Sequence, residues 1–278
     1  MLAKPTQQVA LVTGASSGIG EMTVRALIGA GFTVYAAARR VERMQGLVEI
    51  GARVVSMDVT SEESMSAGVR QIIHEARRID VLVNNAGYGE YGPLEDVPID
   101  EARRQFEVNV FGLARLTQLV LPGMRARRRG TLVNVSSMGG KFYEPLGSWY
   151  HAAKFAVEGL SDSLRIELKP FGVRVVIIEP GPILSEWSGI ARESLLANSG
   201  GTPYEENARK VAKVLAAFDR PGRASGPDVV ARAILRAVQS EHPAPRYPVG
   251  GNAGLILAAR KVLPDRVFDA MVRFAYGH

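Results

Sequence analysis

The sequence of 278 residues contains no cysteine and only four histidines. Without cysteine there are no disulfide bonds, thiolate metal sites or cysteine nucleophiles, and so few histidines argue against a metal enzyme. No run of about 18 consecutive apolar residues is present, which disfavours a transmembrane helix. The N-terminus has neither a long apolar segment nor a small-residue cleavage site, so we expect no signal peptide and a cytoplasmic location.

Acidic residues are in the minority, since 34 basic residues stand against 28 acidic ones and give a formal net charge of +6. A basic excess is typical of some nucleic-acid-binding proteins. The densest basic run, Arg125 with Arg127 to Arg129, contains no interleaved aromatic residue and ends at Gly130. This pattern is typical of a solvated turn, and we expect no nucleic-acid partner.

Short runs of β-branched and aliphatic residues alternate with longer segments of helical periodicity. The runs lack polar alternation, as expected for parallel strands that helices cover on both faces. The predicted strands are Val9–Val12, Thr33–Ala37, Arg53–Met57, Val81–Val83, Leu132–Val135, Val173–Ile178 and, as a seventh, Arg246–Gly250. The predicted helices are Ile19–Gly29, Glu62–Arg77, Asp100–Leu121, Trp149–Lys169 and Pro227–Ser240. This order predicts an α/β fold with a doubly wound parallel sheet of seven strands, in a single domain over residues 1–278.

Two later segments lack this regular alternation. Residues 184–226 contain glycines and prolines among weakly amphipathic stretches, which is more typical of a lid over a site than of a linker. Residues 252–278 have helical spacing and form a C-terminal tail. The apolar part of this tail, Leu255–Leu263, could contact a membrane surface, but burial in the domain or a subunit contact is the favoured interpretation.

A glycine-containing loop follows the first predicted strand and leads directly into a helix. Its residues are Thr13, Gly14, Ala15, Ser16, Ser17, Gly18, Ile19 and Gly20. Gly14 would permit a tight turn, Gly18 a close approach of pyrophosphate to the backbone, and Gly20 close packing of the helix. The helix N-terminus supplies free N–H groups and a partial positive charge. We therefore predict a dinucleotide site rather than merely a tight turn.

The end of the second predicted strand indicates which dinucleotide is bound. An acidic residue at this place would accept hydrogen bonds from a free ribose 2′-hydroxyl, but the sequence has Arg39 and Arg40 there. Guanidinium groups suit a 2′-phosphate, which favours NADP(H) as the cofactor. The alternative is that both arginines are surface residues at the start of a helix.

Two further loops follow strands at the same predicted edge of the sheet. Asp58 follows the third strand and would accept a hydrogen bond from the adenine amino group, or would cap the next helix. The segment Asn84-Asn85-Ala86-Gly87 follows the fourth strand, where open α/β sheets bind ligands. Its small residues would let a cofactor lie against the backbone, although a simple Asn-rich turn is an equal alternative.

Three side chains near the fifth strand carry the predicted chemistry. Tyr150 and Lys154 are four positions apart on one predicted helix, so they lie on the same face. A nearby ammonium would favour the ionised phenol and lower its pKa from about 10, which would make Tyr150 a usable acid–base group. Ser137, at the end of the strand, would hold a carbonyl oxygen. Tyrosine and lysine with this spacing are also common on helix surfaces, but the surrounding motifs favour the catalytic interpretation.

Together these motifs resemble those of the short-chain dehydrogenase/reductase family. They are TGASSGIG at 13–20, NNAG at 84–87, NVFG at 109–112, VSS at 135–137, YHAAK at 150–154 and PG at 180–181. The resemblance covers residues 9–185 and implies a Rossmann-type fold. It implies an NADP-preferring oxidoreductase that interconverts a ketone and a secondary alcohol. It also implies a homodimer or homotetramer that is paired through the two longest predicted helices.

The resemblance further implies a catalytic tetrad of Asn109, Ser137, Tyr150 and Lys154. Lys154 would also bind the nicotinamide ribose, and Asn109 would hold a water that links the lysine to solvent. Alternatively, Asn109 is a mid-helix amide bonded to its own backbone. The implied cofactor-binding residues are Gly14, Ser16, Ser17, Gly18, Ile19, Gly20, Arg39, Arg40, Asp58, Val59, Asn85, Ala86, Gly87, Tyr150, Lys154, Pro180, Gly181, Ile183 and Ser185.

Aromatic residues near the motifs favour a bulky, hydrophobic carbonyl substrate. Tyr143 and Trp187, with Ser137 and Tyr150, are predicted to line its pocket, although aromatic residues near strand ends are more often plain packing. His151 points about 100° away from its neighbour Tyr150 on the helix and is interpreted as a packing or surface residue.

Glu90 is interpreted as a solvated loop charge. Two other functions stay open: a non-catalytic scaffold that senses a dinucleotide, and a membrane-associated reductase of lipid-like carbonyls. The complete tetrad argues against the scaffold, and a membrane partner is the less favoured expectation.

Overall fold

The computed structural model describes residues 7–217, 220 and 222–277. Residues 218, 219 and 221 of the predicted lid, residue 278 of the predicted tail and the first six residues lie outside the described part of the chain.

Seven parallel strands form one central sheet. They are β1 (Val9–Thr13), β2 (Thr33–Ala38), β3 (Arg53–Ser56), β4 (Val81–Asn84), β5 (Gly130–Val135), β6 (Val173–Pro180) and β7 (Arg246–Val249). Their spatial order is β3-β2-β1-β4-β5-β6-β7. The chain order reverses between β1 and β4, and ligands of such sheets bind outside the carboxyl ends of the strands at this point. The predicted Rossmann-type α/β fold is confirmed.

Helices pack on both faces of the sheet. They are α1 (Gly18–Gly29), α2 (Gln45–Val48), α3 (Glu62–Ala76), α4 (Ile99–Phe106), α5 (Leu113–Ala126), α6 (Ser148–Leu168), α7 (Trp187–Ser199), α8 (Glu205–Ala217), α9 (Pro227–Gln239), α10 (Ala253–Val262) and α11 (Asp265–Tyr276).

Alternation along each strand divides the core into two apolar clusters. Val12 belongs to a cluster that contains Leu27 of α1 and Ile234 of α9. Its neighbour Leu11 belongs to a second cluster, which contains Leu116 of α5. Successive side chains of a strand point to opposite faces of the sheet, so both faces need apolar residues. This requirement explains the continuous apolar runs in the sequence.

The helix predicted over residues 100–121 is interrupted. A π-helical turn over Glu107–Gly112 separates α4 from α5. Residues 100–121 are helical throughout, as predicted, but apolar periodicity does not reveal a single wide turn inside a helix. Gly112 permits a close approach here, since a Cβ added to it would lie 2.3 Å from the carbonyl oxygen of Val59.

The predicted lid contains α7 and α8, and its two ends meet. Ile183 and Ser225 form a parallel β-bridge beside the sheet. The predicted tail forms α10 and α11. Leu255 and Val262 of α10 are 71% and 76% exposed, so the interpretation that the apolar part of the tail is buried in the domain is wrong for these two side chains.

Candidate active site

A cavity of about 920 Å³ opens at the carboxyl ends of the strands. Most of the predicted site residues lie in its wall: Gly14, Ser16, Ser17, Gly18, Ile19, Arg39, Arg40, Asp58, Val59, Asn85, Ala86, Gly87, Ser137, Tyr150, Lys154, Pro180, Gly181, Ile183, Ser185 and Trp187. Gly20, Asn109 and Tyr143 lie outside this wall. The loops that follow six of the strands thus converge on one space, as parallel topology requires.

The glycine loop has the shape of a phosphate cradle. Gly14 and Gly18 have φ values of +65° and +54°, which favour glycine. A Cβ added to Gly20 would lie 2.2 Å from the carbonyl oxygen of Gly14, so Gly20 serves packing rather than the cavity wall. Ser17, the N-cap of α1, makes no side-chain capping hydrogen bond. The free N–H groups at the start of α1 fit an anionic diphosphate such as that of a dinucleotide.

Asn85 fixes the glycine loop to the neighbouring strand. Its Nδ2 donates to the carbonyl oxygens of Thr13 and Gly14, at 2.9 and 3.3 Å. The backbone N–H groups of Asn85 and Ala86 donate to Thr13 Oγ1 at 3.0 and 3.1 Å. These long-range contacts distinguish the segment from a simple Asn-rich turn, because they couple β1 to β4 exactly where the loop begins.

Arg39 and Arg40 lie in the cavity wall at the end of β2. Arg40 donates to Ser16 Oγ at 3.4 Å and to Glu186 Oε2 at 3.1 Å. Arg43 donates to Glu186 Oε1 at 2.6 Å. Hydrogen bonds from Arg43 and Arg40 lower the pKa of Glu186. No sequence pattern indicated Glu186 or Arg43, because these pairs join residues that are far apart in the chain.

Asp58 faces the cavity and does not cap the next helix. Its Oδ1 accepts hydrogen bonds from the N–H and the hydroxyl of Thr60, at 2.9 and 2.8 Å. Ser61 caps α3 instead, since its Oγ accepts from the N–H of Ser64 at 3.2 Å. Burial acts to raise the pKa of Asp58, but the Thr60 hydrogen bonds and the charge of Arg39 outweigh it and lower the pKa. The Asp58 carboxylate is therefore ionised and can accept hydrogen bonds.

Ser137 and Tyr150 lie in the wall of the same cavity, and the Ser137 side chain acts to lower the pKa of the Tyr150 phenol. Ser137 Oγ accepts from the N–H of Gly139 at 3.0 Å, which fixes its position. Burial is the largest influence on Tyr150 and raises its pKa above the usual value of 10, against a lowering by Ser137, while Glu144 raises it further. The prediction that Lys154 lowers this pKa is wrong for the structure. The phenol therefore stays protonated at neutral pH.

Lys154 is buried one helical turn beyond Tyr150, and both line the cavity. Its Nζ donates to the carbonyl oxygen of Val135 at 3.0 Å. Burial lowers the pKa of Lys154 to about 8, against the charge of Glu158, which raises it. The ammonium is therefore the major form at neutral pH and is lost as the pH rises above 8.

Asn109 is buried in the π-helical turn, behind the cavity wall. Its Nδ2 donates to the carbonyl oxygen of Tyr88 at 2.8 Å, and its Oδ1 accepts from the N–H of the same residue at 3.1 Å. The amide thus binds another loop, and the alternative that it bonds its own helix is wrong. A Cβ added to Gly87 would lie 3.0 Å from Asn109 Oδ1 and 3.7 Å from Lys154 Nζ, so the glycine leaves room for both side chains against this loop.

The loop after β6 closes the cavity beside the glycine loop. Gly181 packs against the turn after β7, where a Cβ added to it would lie 2.6 Å from the carbonyl oxygen of Gly250. Ser185 Oγ donates to the carbonyl oxygen of Ile183 at 3.4 Å. A Cβ added to Gly18 would lie 3.4 Å from the Cβ of Ser185. The predicted residues of this loop therefore face the phosphate cradle across a narrow gap.

Aromatic rings surround the phenol of Tyr150. The ring centroids of Trp187 and Tyr91 lie 5.0 and 5.7 Å from that of Tyr150. Trp187 lies in the wall as predicted, but Tyr143 does not. Tyr143 lines a separate cavity, and its hydroxyl donates to Asp269 of α11 at 2.7 Å. Of the two aromatic residues predicted for the apolar end of the main cavity, Trp187 is thus present and Tyr143 is not.

Glu144 is a buried carboxylate that sequence reasoning missed. It accepts hydrogen bonds from the hydroxyls of Tyr91 and Tyr276, and it lies in the cavity wall. The Glu144 N–H donates to His151 Nε2 at 3.1 Å, while His151 Nδ1 lies 2.9 Å from the carbonyl oxygen of Gly139 and donates to it. Both ring nitrogens of His151 are therefore occupied, which supports its interpretation as a packing residue.

Glu90 is buried rather than solvated. It is 9% exposed, and its Oε1 accepts from Asn198 Nδ2 at 2.8 Å. Burial raises the pKa of Glu90. The interpretation of a solvated loop charge is wrong, because α7 covers this loop in the folded chain.

Comparison with known proteins identifies the family. The model of the short chain dehydrogenase family matches residues 8–195, more than half of the chain. The chain belongs to the short-chain dehydrogenase/reductase family. It is therefore an oxidoreductase that acts on CH–OH or C=O groups. This result confirms the resemblance that the motifs indicated.

Three similar proteins extend over nearly the full chain. A 3-ketodihydrosphingosine reductase from Bacteroides thetaiotaomicron is 35% identical over 97% of this chain and 98% of its own. An NADPH-dependent 3-dehydrocapnine reductase from Ornithobacterium rhinotracheale is 35% identical over 94% of both chains. The crystal structure of a short-chain dehydrogenase from Streptomyces avermitilis is 35% identical, with a TM-score of 0.80 over 98% of this chain and 97% of its own. The similarity therefore includes the lid and tail segments beyond residue 195.

Proposed function

We propose that this short-chain dehydrogenase/reductase reduces ketones with NADPH and uses Tyr150 as the proton donor. The observation that carries the proposal is that the Ser137 and Tyr150 side chains lie in one cavity wall at the carboxyl ends of the strands. The pair lies in the wall of the same cavity as Lys154 and the glycine loop. The reverse oxidation of a secondary alcohol uses the same groups.

The two hydroxyls supply positioning and a proton. When bound, NADPH supplies a hydride to the carbonyl carbon of the ketone. The Ser137 hydroxyl orients the carbonyl oxygen, and Tyr150 donates a proton to this oxygen, so that hydride and proton together give the alcohol. The raised pKa of Tyr150 keeps the phenol protonated until the oxygen gains negative charge.

Lys154 stabilises the phenolate that remains after proton transfer. Its ammonium is buried in the same wall, where a charge acts more strongly than in water. Its remaining N–H donors are proposed to bind the nicotinamide ribose. Asn109, held by Tyr88 beside Lys154, is proposed to support the relay that returns a proton from solvent.

The arginines at the end of β2 support NADP(H) rather than NAD(H). Arg39 and Arg40 offer guanidinium donors to a 2′-phosphate, and Asp58 is an ionised acceptor for the adenine amino group. The related reductase from Ornithobacterium rhinotracheale is named as NADPH-dependent, which agrees with this choice.

A ketone with a large apolar part is the proposed substrate. The cavity wall near Tyr150 includes Tyr91, Met138, Phe142, Trp187 and Ile190. Apolar walls with few polar groups favour hydrophobic ligands. The names of two relatives, with 3-ketodihydrosphingosine and 3-dehydrocapnine as their substrates, agree with this class.

Self-association is proposed through α6 and the π-helical turn. Phe111, Phe155 and Ile166 are 55%, 45% and 68% exposed on these elements. Large exposed apolar side chains of this kind are typical of subunit interfaces. The proposal agrees with the homodimer or homotetramer that the resemblance implied.

The test is a panel of aliphatic ketones of increasing chain length, followed by NADPH absorbance, with direct measurement of the NADPH Kd. Tyr150→Phe should lower kcat by about 10²–10⁴-fold without changing this Kd, because only the proton is lost. Tyr143→Phe is the matched control and should retain turnover. Turnover retained by Tyr150→Phe would rule out the acid, and NADPH binding without turnover of any ketone or secondary alcohol would overturn the function.

A further inference from the structure

The C-terminal helix α11 has an apolar stripe on its exposed side. Val267, Met271 and Phe274 are 47%, 49% and 88% exposed. Their spacing of four and then three residues places them on one face of the helix. We call these three residues the α11 stripe. A phenylalanine that is 88% exposed contributes nothing to the core, so the stripe needs another explanation than folding.

The opposite side of α11 accounts for the stability of the helix. Phe268 and Tyr276 are buried. The ring centroid of Phe268 lies 5.7 Å from that of Tyr143 and 6.3 Å from that of Phe142, and Tyr276 donates to Glu144. The helix is therefore anchored by one face and presents the stripe with the other.

Two exposed arginines lie beside the stripe. Arg266 and Arg273 are seven residues apart on the same side of α11, and neither has an ion-pair partner among the described residues. The acidic residues of this helix are already engaged, because Asp265 pairs with Arg260 at 2.9 Å and Asp269 accepts from Tyr143 at 2.7 Å. Over α10 and α11 together, Arg260, Lys261, Arg266 and Arg273 stand against Asp265 and Asp269, so the apolar side chains lie on a part of the surface with a net charge of +2.

We propose that the α11 stripe docks on an anionic membrane surface. Exposed apolar residues beside arginines are typical of helices that lie in the interface of a bilayer, where anionic headgroups attract the cations. A second copy of the chain would present the same stripe with the same net positive charge of α10 and α11, and the two like-charged surfaces would repel each other. No helix in the described part of the chain has the length and apolar content to cross a bilayer, so the contact is peripheral.

The position of α11 gives this contact a role at the cavity. Glu144 lies in the wall of the large cavity and also in that of a second cavity of about 700 Å³, whose wall includes Arg266, Asp269 and Arg273. The stripe is thus carried by a helix that contacts the wall of the large cavity through the hydrogen bond from Tyr276 to Glu144. Docking of α11 would hold this side of the large cavity close to the membrane surface. The inference goes beyond the proposed reduction and does not depend on it.

Flotation of the full chain with lipid vesicles tests the proposal without any catalytic readout. The protein should float with vesicles of phosphatidylcholine mixed with phosphatidylglycerol, and stay at the bottom with phosphatidylcholine alone. The double variant Met271→Gln, Phe274→Gln removes apolar contact, and Arg266→Gln, Arg273→Gln removes charge. Each should reduce recovery by about tenfold, and added salt should release the wild type, since the electrostatic part is screened.

Matched controls distinguish binding by the α11 stripe from nonspecific binding of other exposed residues to the vesicles. Leu94→Gln changes another apolar side chain that is 60% exposed, and Arg70→Gln removes another exposed arginine. Both should float like the wild type. The proposal is overturned if the wild type ignores anionic vesicles at low salt, or if the controls lose recovery as much as the stripe variants. A stripe variant that changes the oligomeric state, with no vesicle binding by the wild type, would instead assign the stripe to a second copy.

Discussion

The carboxylate of Glu186 forms an ion pair with the guanidinium of Arg40, with an N···O distance of 3.1 Å. Glu186 directly precedes α7, and Arg40 follows β2, so the pair joins the predicted lid to the proposed 2′-phosphate site. A phosphate would need the same guanidinium donors. If NADPH binds as proposed, the carboxylate competes with its 2′-phosphate for Arg40.

The first prediction is that Glu186→Gln tightens NADPH binding. Both side chains of the pair are nearly half exposed, at 44% and 46%, and such pairs contribute at most about 1 kcal/mol. The Kd for NADPH should therefore fall by up to about fivefold, while the Kd for NADH stays the same. Titration of cofactor fluorescence measures both constants. Glu193→Gln, an exposed change on α7, is the control, and weaker NADPH binding by Glu186→Gln would contradict the competition.

The second prediction concerns Arg39, which lines the cavity next to Arg40. Arg39→Ala should weaken NADPH binding by about 10-fold or more, because a hydrogen bond between charged groups contributes about 1.5–3 kcal/mol. NADH lacks the 2′-phosphate and should bind nearly as before. The two Kd values are compared by the same titration, with Arg70→Ala as the surface control. Equal weakening of both cofactors would remove the 2′-phosphate assignment.

Sequence patterns predicted the sheet and the glycine loop because both depend on local order. A strand with two buried faces needs a continuous apolar run, and the loop needs glycine at Gly14 and Gly18, where φ is positive. Tyr150 and Lys154 share a helix, so their spacing alone places them in one wall.

Other features depend on contacts between distant parts of the chain. Glu144 meets Tyr276 only after α11 has packed, and Glu186 meets Arg40 only when the lid segment returns to β2. The pKa of Tyr150 depends on burial, and the spacing of residues in the sequence does not show how deeply a side chain is buried. The expectation that Lys154 lowers this pKa was therefore wrong.

The third prediction is a fall in the rate of ketone reduction at high pH. Burial lowers the pKa of Lys154 to about 8, so its ammonium is present below this pH and lost above it. If this charge stabilises the phenolate, kcat/KM should decrease as the pH rises through 8. In Lys154→Arg any residual activity should lack this decrease, because the guanidinium stays protonated. A wild-type profile of kcat/KM that is flat to about pH 10 would contradict the role of the ammonium.

The fourth prediction concerns a series of buried side-chain hydrogen bonds that links α5, β4, β5 and α6. Asn84 Nδ2 donates to Thr117 Oγ1 at 3.1 Å and to Asn134 Oδ1 at 2.9 Å, and Asn134 Nδ2 donates to Ser161 Oγ at 2.9 Å. Asn134→Ala leaves polar partners unpaired in the core, so the free energy of unfolding should fall by about 1–3 kcal/mol. Urea denaturation measures this, with the exposed change Gln71→Ala as control. An unchanged urea midpoint would show that these hydrogen bonds do not stabilise the fold.

The last prediction concerns Glu179, a buried residue of β6. Burial and the charge of Glu158 raise the pKa of Glu179 to about 7, although Arg246 lies 3.3 Å away and lowers it. The folded chain therefore binds more protons than the unfolded chain between the usual pKa of 4.5 and 7. The free energy of unfolding should then decrease as the pH rises through this window.

Glu179→Gln removes this titration, so its free energy of unfolding should change less between about pH 5 and pH 8 than that of the wild type. Urea denaturation at each pH gives both curves, and Glu63→Gln, an exposed change on α3, controls for the loss of one carboxylate. Parallel curves for wild type and Glu179→Gln would mean that Arg246 keeps Glu179 ionised throughout, because a carboxylate with a normal pKa would not couple stability to pH in this window.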